Sequence, residues 1–207
     1  MPARPRPITT DLLVEAYAMG IFPMAEHRHG PVRWLCPDPR GLMPLEKDRF
    51  HVPRSLRRRL RGGGWRITHD TAFERVMRAC AEPRQDDDET WISEEIVRAY
   101  VGLHHAGLAH SVEAWAADGD EAGPRLVGGV YGVSLGGAFF AESMFSRATD
   151  ASKVCLVHLV EHLRSRGFVL LDVQFVTPHL ARFGAYELPL DAYLGRLREA
   201  MALPGRW

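Results

Sequence analysis

Two neighbouring stretches, GGAFFAESMFSR (136–147) and FVLLDVQFV (168–176), determine the predicted fold of this 207-residue sequence. In each stretch polar side chains interrupt an apolar run: Glu142 in the first, and Asp172 and Gln174 in the second. Because side chains two positions apart on a strand share a face, Asp172 and Gln174 are expected to lie side by side. Burying a carboxylate without a partner is costly, so these groups either belong to a hydrogen-bonded network or carry chemistry.

The pattern around these stretches predicts an α/β (α+β) fold with a central, mostly antiparallel sheet. A helix is expected at about residues 150–165, and 168–176 is expected to be a strand. Apolar residues alternate with a period of two from His110 onward, which predicts three strands joined as an antiparallel meander, HSVEAW (110–115), RLVGGVYGV (125–133) and GGAFFAES (136–143). This order of elements is similar to the acyl-transferring fold of the N-acetyltransferase superfamily.

Two further helices are predicted from their first residues. Thr10 and Asp11 are expected to cap a helix that contains LLVEAYAM (12–19), and Ser93 is expected to cap one that begins with two glutamates. Short hydroxyl and carboxylate side chains favour these positions because they accept hydrogen bonds from the free N–H groups of the first turn.

Composition and charge narrow the class of protein. Hydrophobic residues make up 46% and charged residues 25%, as in ordinary globular domains, and the formal net charge is zero. The first residues lack the apolar core of a signal peptide, and no apolar run approaches the ~20 residues of a membrane span. The three cysteines form no CxxC pattern, which favours a reducing compartment. We therefore expect a cytoplasmic protein that does not enter membranes, and a monomer because no coiled-coil pattern is present. The acidic run QDDDE (85–89) is expected to be a surface loop.

A basic cluster in PRSLRRRLRGGG (53–64) is the strongest local charge feature. It contains five arginines without an acidic residue among them: Arg54, Arg57, Arg58, Arg59 and Arg61. Like charges one helical turn apart repel, so these residues gain nothing from each other. An anionic partner, such as a nucleic-acid backbone, is favoured over the alternative of a solvated helix face.

Motifs for other chemistries are weak or missing. HLVEH (158–162) matches the H-x-x-E-H pattern of a zinc protease family, but no third ligand is evident and an exposed helix edge is the simpler interpretation. No metal site is expected. A coenzyme A user of the acetyltransferase fold carries a glycine-rich turn between its fourth strand and the next helix. The corresponding segment here, residues 147–152, contains no glycine, which argues against coenzyme A.

Eight segments, taken in order, resemble the leucyl/phenylalanyl-tRNA–protein transferase family from about Leu12 to the C-terminus. They are LLVEAYAMGIFPM (12–24), WLCPDPRG (34–41), TWISEEIVRAY (90–100), GLAHSVEAW (107–115), LVGGVYGV (126–133), AESMFSR (141–147), DASK (150–153) and LLDVQFV (170–176). The combination of ESMFSR with D-x-Q is highly specific for this family.

The resemblance implies an activity and a domain organisation. A member of this family takes Leu or Phe, with Met as a further candidate, from its charged tRNA. It transfers that residue to the N-terminal Arg or Lys of an acceptor protein, which marks the protein for N-end-rule degradation. A small N-terminal domain, predicted here at residues 1–48, precedes an acetyltransferase-like catalytic domain at 49–207. No metal or other cofactor is required, since the aminoacyl-tRNA is itself a substrate.

The resemblance also assigns roles to individual residues. Asp172 and Gln174 are the catalytic pair: Gln174 orients the attacking amine, while Asp172 polarises that contact or accepts the proton. The identity of the base stays open, because an amide cannot hold a proton at neutral pH. Glu142 contacts the α-amino group of the donor residue. The Leu or Phe side chain of the donor is expected to lie in an apolar pocket formed by Val130, Phe139, Met144, Leu156 and Leu171. Two tryptophans, Trp34 and Trp91, are expected to hold the terminal adenosine of the tRNA. A basic strip is expected to receive the acceptor stem and consists of Arg57, Arg58 and Arg61.

One departure and two alternatives complete the expectations. The family usually has Asn where this sequence has Thr177, so an amide contact there is lost or replaced by a hydroxyl. The alternatives are an N-acyltransferase with another donor, such as a coenzyme A thioester, and a tRNA- or RNA-binding module without catalysis. The missing glycine-rich turn argues against the first, and Asp172 with Gln174 on a buried strand argues against the second.

Overall fold

A computed structural model describes residues 7–83, 90–120 and 123–207 of the chain, without the side chains of 118–120. The acidic run at 85–89 lies outside this part. The helices are α1 (Thr10–Ala18), α2 (Arg54–Gly62), α3 (Phe73–Cys80), α4 (Glu94–His105), α5 (Ala151–Ser165), α6 (Pro178–Ala181) and α7 (Leu190–Met201). The strands are β1 (Phe22–Ala25), β2 (Val32–Leu35), β3 (Arg40–Met43), β4 (Trp65–His69), β5 (Ala109–Asp120), β6 (Gly123–Leu135), β7 (Ala138–Ser146), β8 (Leu170–Gln174) and β9 (Tyr186–Leu188).

A seven-stranded sheet in the order β4-β5-β6-β7-β8-β3-β9 forms the centre of the molecule, and β1 and β2 form a separate hairpin. All neighbouring strands of the large sheet are antiparallel except β7 and β8, which are parallel. The helix α5 makes the crossover that a parallel pair requires. The predicted mixed fold with a mostly antiparallel sheet is confirmed.

Most local predictions agree with the structure. The meander is formed by β5, β6 and β7, and the helix and strand that follow are α5 and β8. Ser93 caps α4, because its side chain accepts a hydrogen bond from the N–H of Ile96. The cap predicted for α1 is wrong by one residue: the hydroxyl of Thr9 accepts from the N–H of Leu12, and Thr10 already belongs to the helix.

The sheet buries apolar residues in two clusters. Phe139 and Phe140 are adjacent on β7 and belong to different clusters, since successive side chains of a strand point to opposite faces. One cluster includes Tyr17 of α1 and Tyr193 of α7, and the other includes most of the apolar face of α5. Within the described residues, no helix is long and apolar enough to cross a membrane.

The strand β3 connects the N-terminal part of the chain to the sheet. Its residues 40–43 lie within the range predicted for the small N-terminal domain, and β3 pairs with both β8 and β9. The domain boundary at residue 48 stays a prediction. The position of β3 matters for the site, because it brings Arg40 and Gly41 beside the end of β8.

Candidate active site

A cavity of about 990 Å3 lies beside the ends of β7 and β8. The paired part of these strands runs from Ala138 and Leu170 to Phe140 and Asp172. The residues at and just beyond the ends of these strands, 142–147 and 173–175, line the cavity together with part of the segment before α4. The cavity therefore lies where β7 and β8 stop pairing.

Glu142 occupies a β-bulge in this wall. Ala141 pairs with Gly132 and Ser143 pairs with Tyr131, so Glu142 is the additional residue on β7. A bulge bends the strand and redirects the side chain of the additional residue. Here it brings the carboxylate of Glu142 to the cavity, where it is half-buried.

Hydroxyl and amide groups surround the Glu142 carboxylate. The hydroxyl of Tyr17 donates to Oε1 at 2.7 Å, and that of Tyr100 donates to Oε2 at 3.4 Å. The two tyrosine hydroxyls are also within hydrogen-bond distance of each other, and because each has one proton, Tyr100 donates at any moment either to Tyr17 or to Oε2. The Nε2 of Gln174 donates to Oε1 at 3.4 Å. Burial raises the pKa of Glu142 to about 8, since a desolvated carboxylate is less stable in its charged form. The hydrogen bond from Tyr17 lowers this pKa and the negative charge of Asp172 raises it.

Asp172 lies in a different environment, buried behind the cavity wall. The Nε of Arg40 donates to both of its carboxylate oxygens at 3.0 Å, and the Nη2 of Arg40 lies 2.8 Å from Oδ2 as an ion-pair contact without hydrogen-bond geometry. The hydroxyl of Tyr193 donates to Oδ2 at 2.6 Å, and the backbone N–H of Gln174 donates to Oδ1 at 2.8 Å. The side chains of Arg40 and Asp172 both have an exposure of 0%.

Arg40 is itself held on three sides. Its Nη1 donates to the carbonyl oxygen of Gly20 at 2.8 Å, and its guanidinium lies 4.8 Å from the ring centroids of Phe22 and Tyr193. Sequence reasoning missed Arg40 and Tyr193. The only signal for Arg40 was its place directly after the two prolines of WLCPDPRG.

The regular strand expected through Asp172 and Gln174 ends at Gln174. The φ of Gln174 is 58°, in the left-handed region, so the backbone turns at this residue. This turn separates the side chain of Gln174 from that of Asp172. Gln174 lines the cavity, whereas Asp172 is not among the lining residues. The structure thus brings Gln174 and Glu142 together at the cavity and places Asp172 behind them.

The residues predicted for the apolar pocket divide in a similar way. Met144 lines the cavity. The other four belong to the core cluster beneath α5 with exposures of 0–2%, namely Val130, Phe139, Leu156 and Leu171. Met144 packs against that cluster and connects it with the cavity.

The predicted tRNA-binding residues lie at several places. Trp91 lines the cavity, while Trp34 lies on β2 opposite Pro23, is 38% exposed and is not a lining residue. The three arginines of the predicted acceptor-stem strip, Arg57, Arg58 and Arg61, are exposed on α2. The helix α2 itself packs against α5.

Two remaining sequence features have structural roles. Thr177, which stands in place of the usual Asn, caps α6 by accepting from the N–H of Leu180 at 3.3 Å, and it also lines the cavity. In HLVEH, the ring of His162 lies 4.4 Å from that of Trp207, and burial lowers the pKa of His162 to about 4. In the part of the chain that the structure describes, no group of three or more His, Cys, Asp or Glu residues is placed to hold a metal ion.

Comparison with known proteins identifies the family. The model of the leucyl/phenylalanyl-tRNA protein transferase family matches residues 44–198, and the model of its N-terminal domain matches residues 6–38. A leucyl/phenylalanyl-tRNA–protein transferase of Paramagnetospirillum magneticum is 58% identical over 95% of this chain and 91% of the relative. One of Rubrobacter xylanophilus is 56% identical over 95% of this chain and 96% of the relative.

The fold also resembles a solved structure. The crystal structure of FemX superposes with a TM-score of 0.54 at 13% identity, over 92% of this chain and 71% of that one. At this identity the likeness concerns the fold alone. The family models and the two relatives together cover nearly the whole sequence, and the chain belongs to the leucyl/phenylalanyl-tRNA–protein transferase family.

Proposed function

We propose that this protein transfers leucine or phenylalanine from an aminoacyl-tRNA to the α-amino group of proteins that begin with Arg or Lys. The product contains a new peptide bond, and its new N-terminal residue marks it for N-end-rule degradation. Family membership makes the chain an aminoacyltransferase that acts on proteins. The observation that supports the finer proposal best is that Glu142, Gln174 and Trp91 all line the same cavity. We further propose that the protein works as a cytoplasmic monomer with an acetyltransferase-like catalytic domain and without a metal or other cofactor.

The chemistry of this reaction makes modest demands on the protein. An aminoacyl ester is already activated, and an α-amine with a pKa of about 7.7–8.0 is partly deprotonated at neutral pH. The amine nitrogen attacks the ester carbonyl, loses a proton and displaces the ribose oxygen, which gains one. The protein must therefore position the two substrates, assist the proton transfer and stabilise the tetrahedral oxyanion.

The cavity offers a group for each substrate. Glu142 is proposed to contact the α-amino group of the donor residue, because its carboxylate lacks a cationic partner among the described residues. Gln174 is proposed to orient the incoming amine through its amide, with Asp172 acting behind it. The donor side chain is proposed to lie against Met144, whose flexible thioether adapts to both Leu and Phe and borders the buried apolar cluster.

Two parts of the tRNA are proposed to contact the protein, the terminal adenosine and the acceptor stem. Trp91 is proposed to stack on the terminal adenosine at the cavity, where stacking on an aromatic ring contributes about 1–3 kcal/mol per base. Trp34 is proposed to hold the same nucleotide from the β1–β2 hairpin, although it does not line the cavity of the free protein. The exposed arginines of α2 are proposed to contact the phosphates of the acceptor stem.

The test of the proposed function is transfer of labelled phenylalanine from phenylalanyl-tRNA to a peptide that begins with Arg. A peptide that begins with Ala, and labelled acetyl-coenzyme A in place of the tRNA, are the matched controls. We expect label only in the Arg peptide and only from the tRNA. Absence of transfer by the wild-type protein would contradict the proposal, and transfer from acetyl-coenzyme A would favour the alternative acyltransferase.

Salt dependence separates the tRNA contacts from a solvated helix face. Replacement of Arg57, Arg58 and Arg61 by Ala should weaken tRNA binding and lower the slope of log K against log salt by up to about 0.9 per lost phosphate contact. The matched control replaces three other exposed arginines (Arg166, Arg196 and Arg198) and should leave the slope unchanged. Equal slopes for both variants would indicate that the α2 arginines form a solvated helix face and do not contact the tRNA.

A further inference from the structure

The backbone turn at the end of β8 is strained and is held by other groups. The N–H of Phe175 donates to the carbonyl of Val173 at 2.6 Å, which closes a γ-turn around Gln174. The φ of Gln174 at this turn is 58°, a region that residues other than glycine adopt infrequently. Turns of this hand are rare and strained, and they persist only where the surrounding structure fixes them.

The carboxylate of Asp172 fixes this turn from inside the protein. Its Oδ1 accepts the backbone N–H of Gln174 at 2.8 Å, so it determines the orientation of the peptide that begins the turn. From the other side, Gly41 of β3 approaches so closely that a Cβ there would lie 2.8 Å from the backbone carbon of Phe175. The turn is thus enclosed between Asp172 and the strand that carries Arg40.

Arg40 and Tyr193 occupy the remaining positions around the Asp172 carboxylate. Arg40 contacts both oxygens and Tyr193 donates to Oδ2, and the two residues come from opposite ends of the chain. Rotation of the carboxylate would break these contacts in a region from which water is excluded. The arrangement therefore allows Asp172 one orientation, the one in which it holds the turn.

The consequence for the site is the placement of the Gln174 amide. Because the turn is fixed, the side chain of Gln174 reaches the cavity, and the Nε2 of Gln174 lies 3.4 Å from Oε1 of Glu142. We propose that Arg40 and Tyr193 are positioning residues for aminoacyl transfer, which fix Asp172 so that it holds the Gln174 turn and places the Gln174 amide at the incoming amine. On this proposal, which rests on the proposed function, Asp172 does not accept the proton.

The first test removes one hydroxyl from the buried cluster. Tyr193→Phe keeps the ring and the Arg40 contacts, and displacement of a positioned group by a fraction of an ångström lowers rates strongly. We expect kcat for phenylalanine transfer to fall on the order of 10-fold, with an unchanged KM for phenylalanyl-tRNA and an unchanged pH–rate profile. Tyr186→Phe is the matched control, since it removes a tyrosine hydroxyl that accepts a hydrogen bond from Arg196 and does not line the cavity. An unchanged kcat for Tyr193→Phe, or a change confined to KM, would overturn the proposal.

The second test distinguishes positioning from proton acceptance. The double variant Arg40→Met, Asp172→Asn removes both charges together, so no unpaired charge is buried, and the amide oxygen of the asparagine can still accept the N–H of Gln174. We expect a folded protein that retains measurable transfer, on the order of 10-fold to 100-fold below wild type, with the wild-type pH–rate profile. A folded double variant without transfer at any pH would contradict the proposal that Asp172 acts by positioning alone. If this variant does not fold, the result for Tyr193→Phe decides. Failure of the wild type to transfer would contradict the proposed function instead.

Discussion

The two carboxylates of the site, Asp172 and Glu142, look alike in sequence and differ in the structure. Asp172 is fully buried against a guanidinium, a tyrosine hydroxyl and a backbone N–H. Glu142 is half-buried at the cavity and bonded only to neutral groups, and within the described part of the chain no lysine or arginine pairs with it. A buried carboxylate that is paired with a cation of the protein has a structural role, because removal of either partner destabilises the fold. A carboxylate without such a cation gains the most stabilisation when a substrate supplies a positive charge.

This contrast assigns different parts of the reaction to the two groups. The raised pKa of Glu142 means that its charged form lacks stabilisation in the free protein. An α-ammonium group in the cavity would supply that stabilisation and favour the ionised carboxylate. Asp172 already has its cation, so the contact between Glu142 and the donor residue is the one we expect to depend on substrate and on pH.

The largest effect is expected when the buried pair is broken. Asp172→Ala leaves the guanidinium of Arg40 without a partner in the core, which costs about 3–5 kcal/mol of the free energy of unfolding. Transfer should be lost as well, because the Gln174 turn loses its anchor. Urea denaturation measures the first effect, and addition of Arg40→Met should restore most of the stability. An Asp172→Ala protein as stable as wild type would show that the pair is not structural.

A smaller, pH-dependent effect is expected at Glu142. Its folded pKa of about 8 lies above its ordinary value of 4.5, so the stability due to its neutral form is complete below pH 4.5 and is lost as pH rises through 8. Glu142→Gln stays neutral at every pH. Relative to wild type, the variant should therefore gain stability between pH 5 and pH 9, on the order of 2–4 kcal/mol.

Urea denaturation of wild type and Glu142→Gln at several pH values checks this sign. The same variant should raise the KM for phenylalanyl-tRNA, because a neutral amide cannot stabilise an α-ammonium group as a carboxylate does. Parallel stability curves for the two proteins across this range would mean that Glu142 is not desolvated, and the contrast with Asp172 would disappear.

The smallest effects are expected at the two tyrosines that contact Glu142. Loss of one hydrogen bond of this kind costs about 0.5–1.5 kcal/mol of the free energy of unfolding. Tyr17→Phe should lie at the upper end, since its bond is 2.7 Å long, and Tyr100→Phe at the lower end, since its bond to the carboxylate is 3.4 Å long. Both hydroxyls lower the pKa of Glu142, so either substitution should raise it further. A lowered pKa in either variant would contradict this assignment.

The sequence permits prediction of what depends on local pattern. Period-two alternation predicted the meander, and Ser93 before two glutamates predicted the start of α4. The polar interruptions at Glu142, Asp172 and Gln174 marked the region of the site. Apolar pattern alone cannot separate cavity wall from core: Met144 lines the cavity, whereas Val130, which the family resemblance assigns to the same pocket, is buried in the core.

Long-range contacts and irregular backbone were not predictable in this way. Arg40 lies 132 positions from Asp172 in the sequence, and no local pattern links the two residues. The bulge at Glu142 adds one residue to a strand without changing its composition, and the turn at Gln174 is held by tertiary contacts rather than by a glycine. Together these three features place the Glu142 carboxylate at the cavity and the Asp172 carboxylate behind it, paired with Arg40.

The most direct test of the contrast is a 13C NMR titration of the glutamate side-chain carboxyl carbons, with Glu142 assigned by the signal that Glu142→Gln lacks. We expect Glu142 to titrate with a midpoint near pH 8 in the free protein. The midpoint should fall when a non-hydrolysable 3′-amide analogue of phenylalanyl-adenosine binds, because its α-ammonium group stabilises the carboxylate. A midpoint near the ordinary value of 4.5 in the free protein, or one that the analogue does not change, would contradict the account.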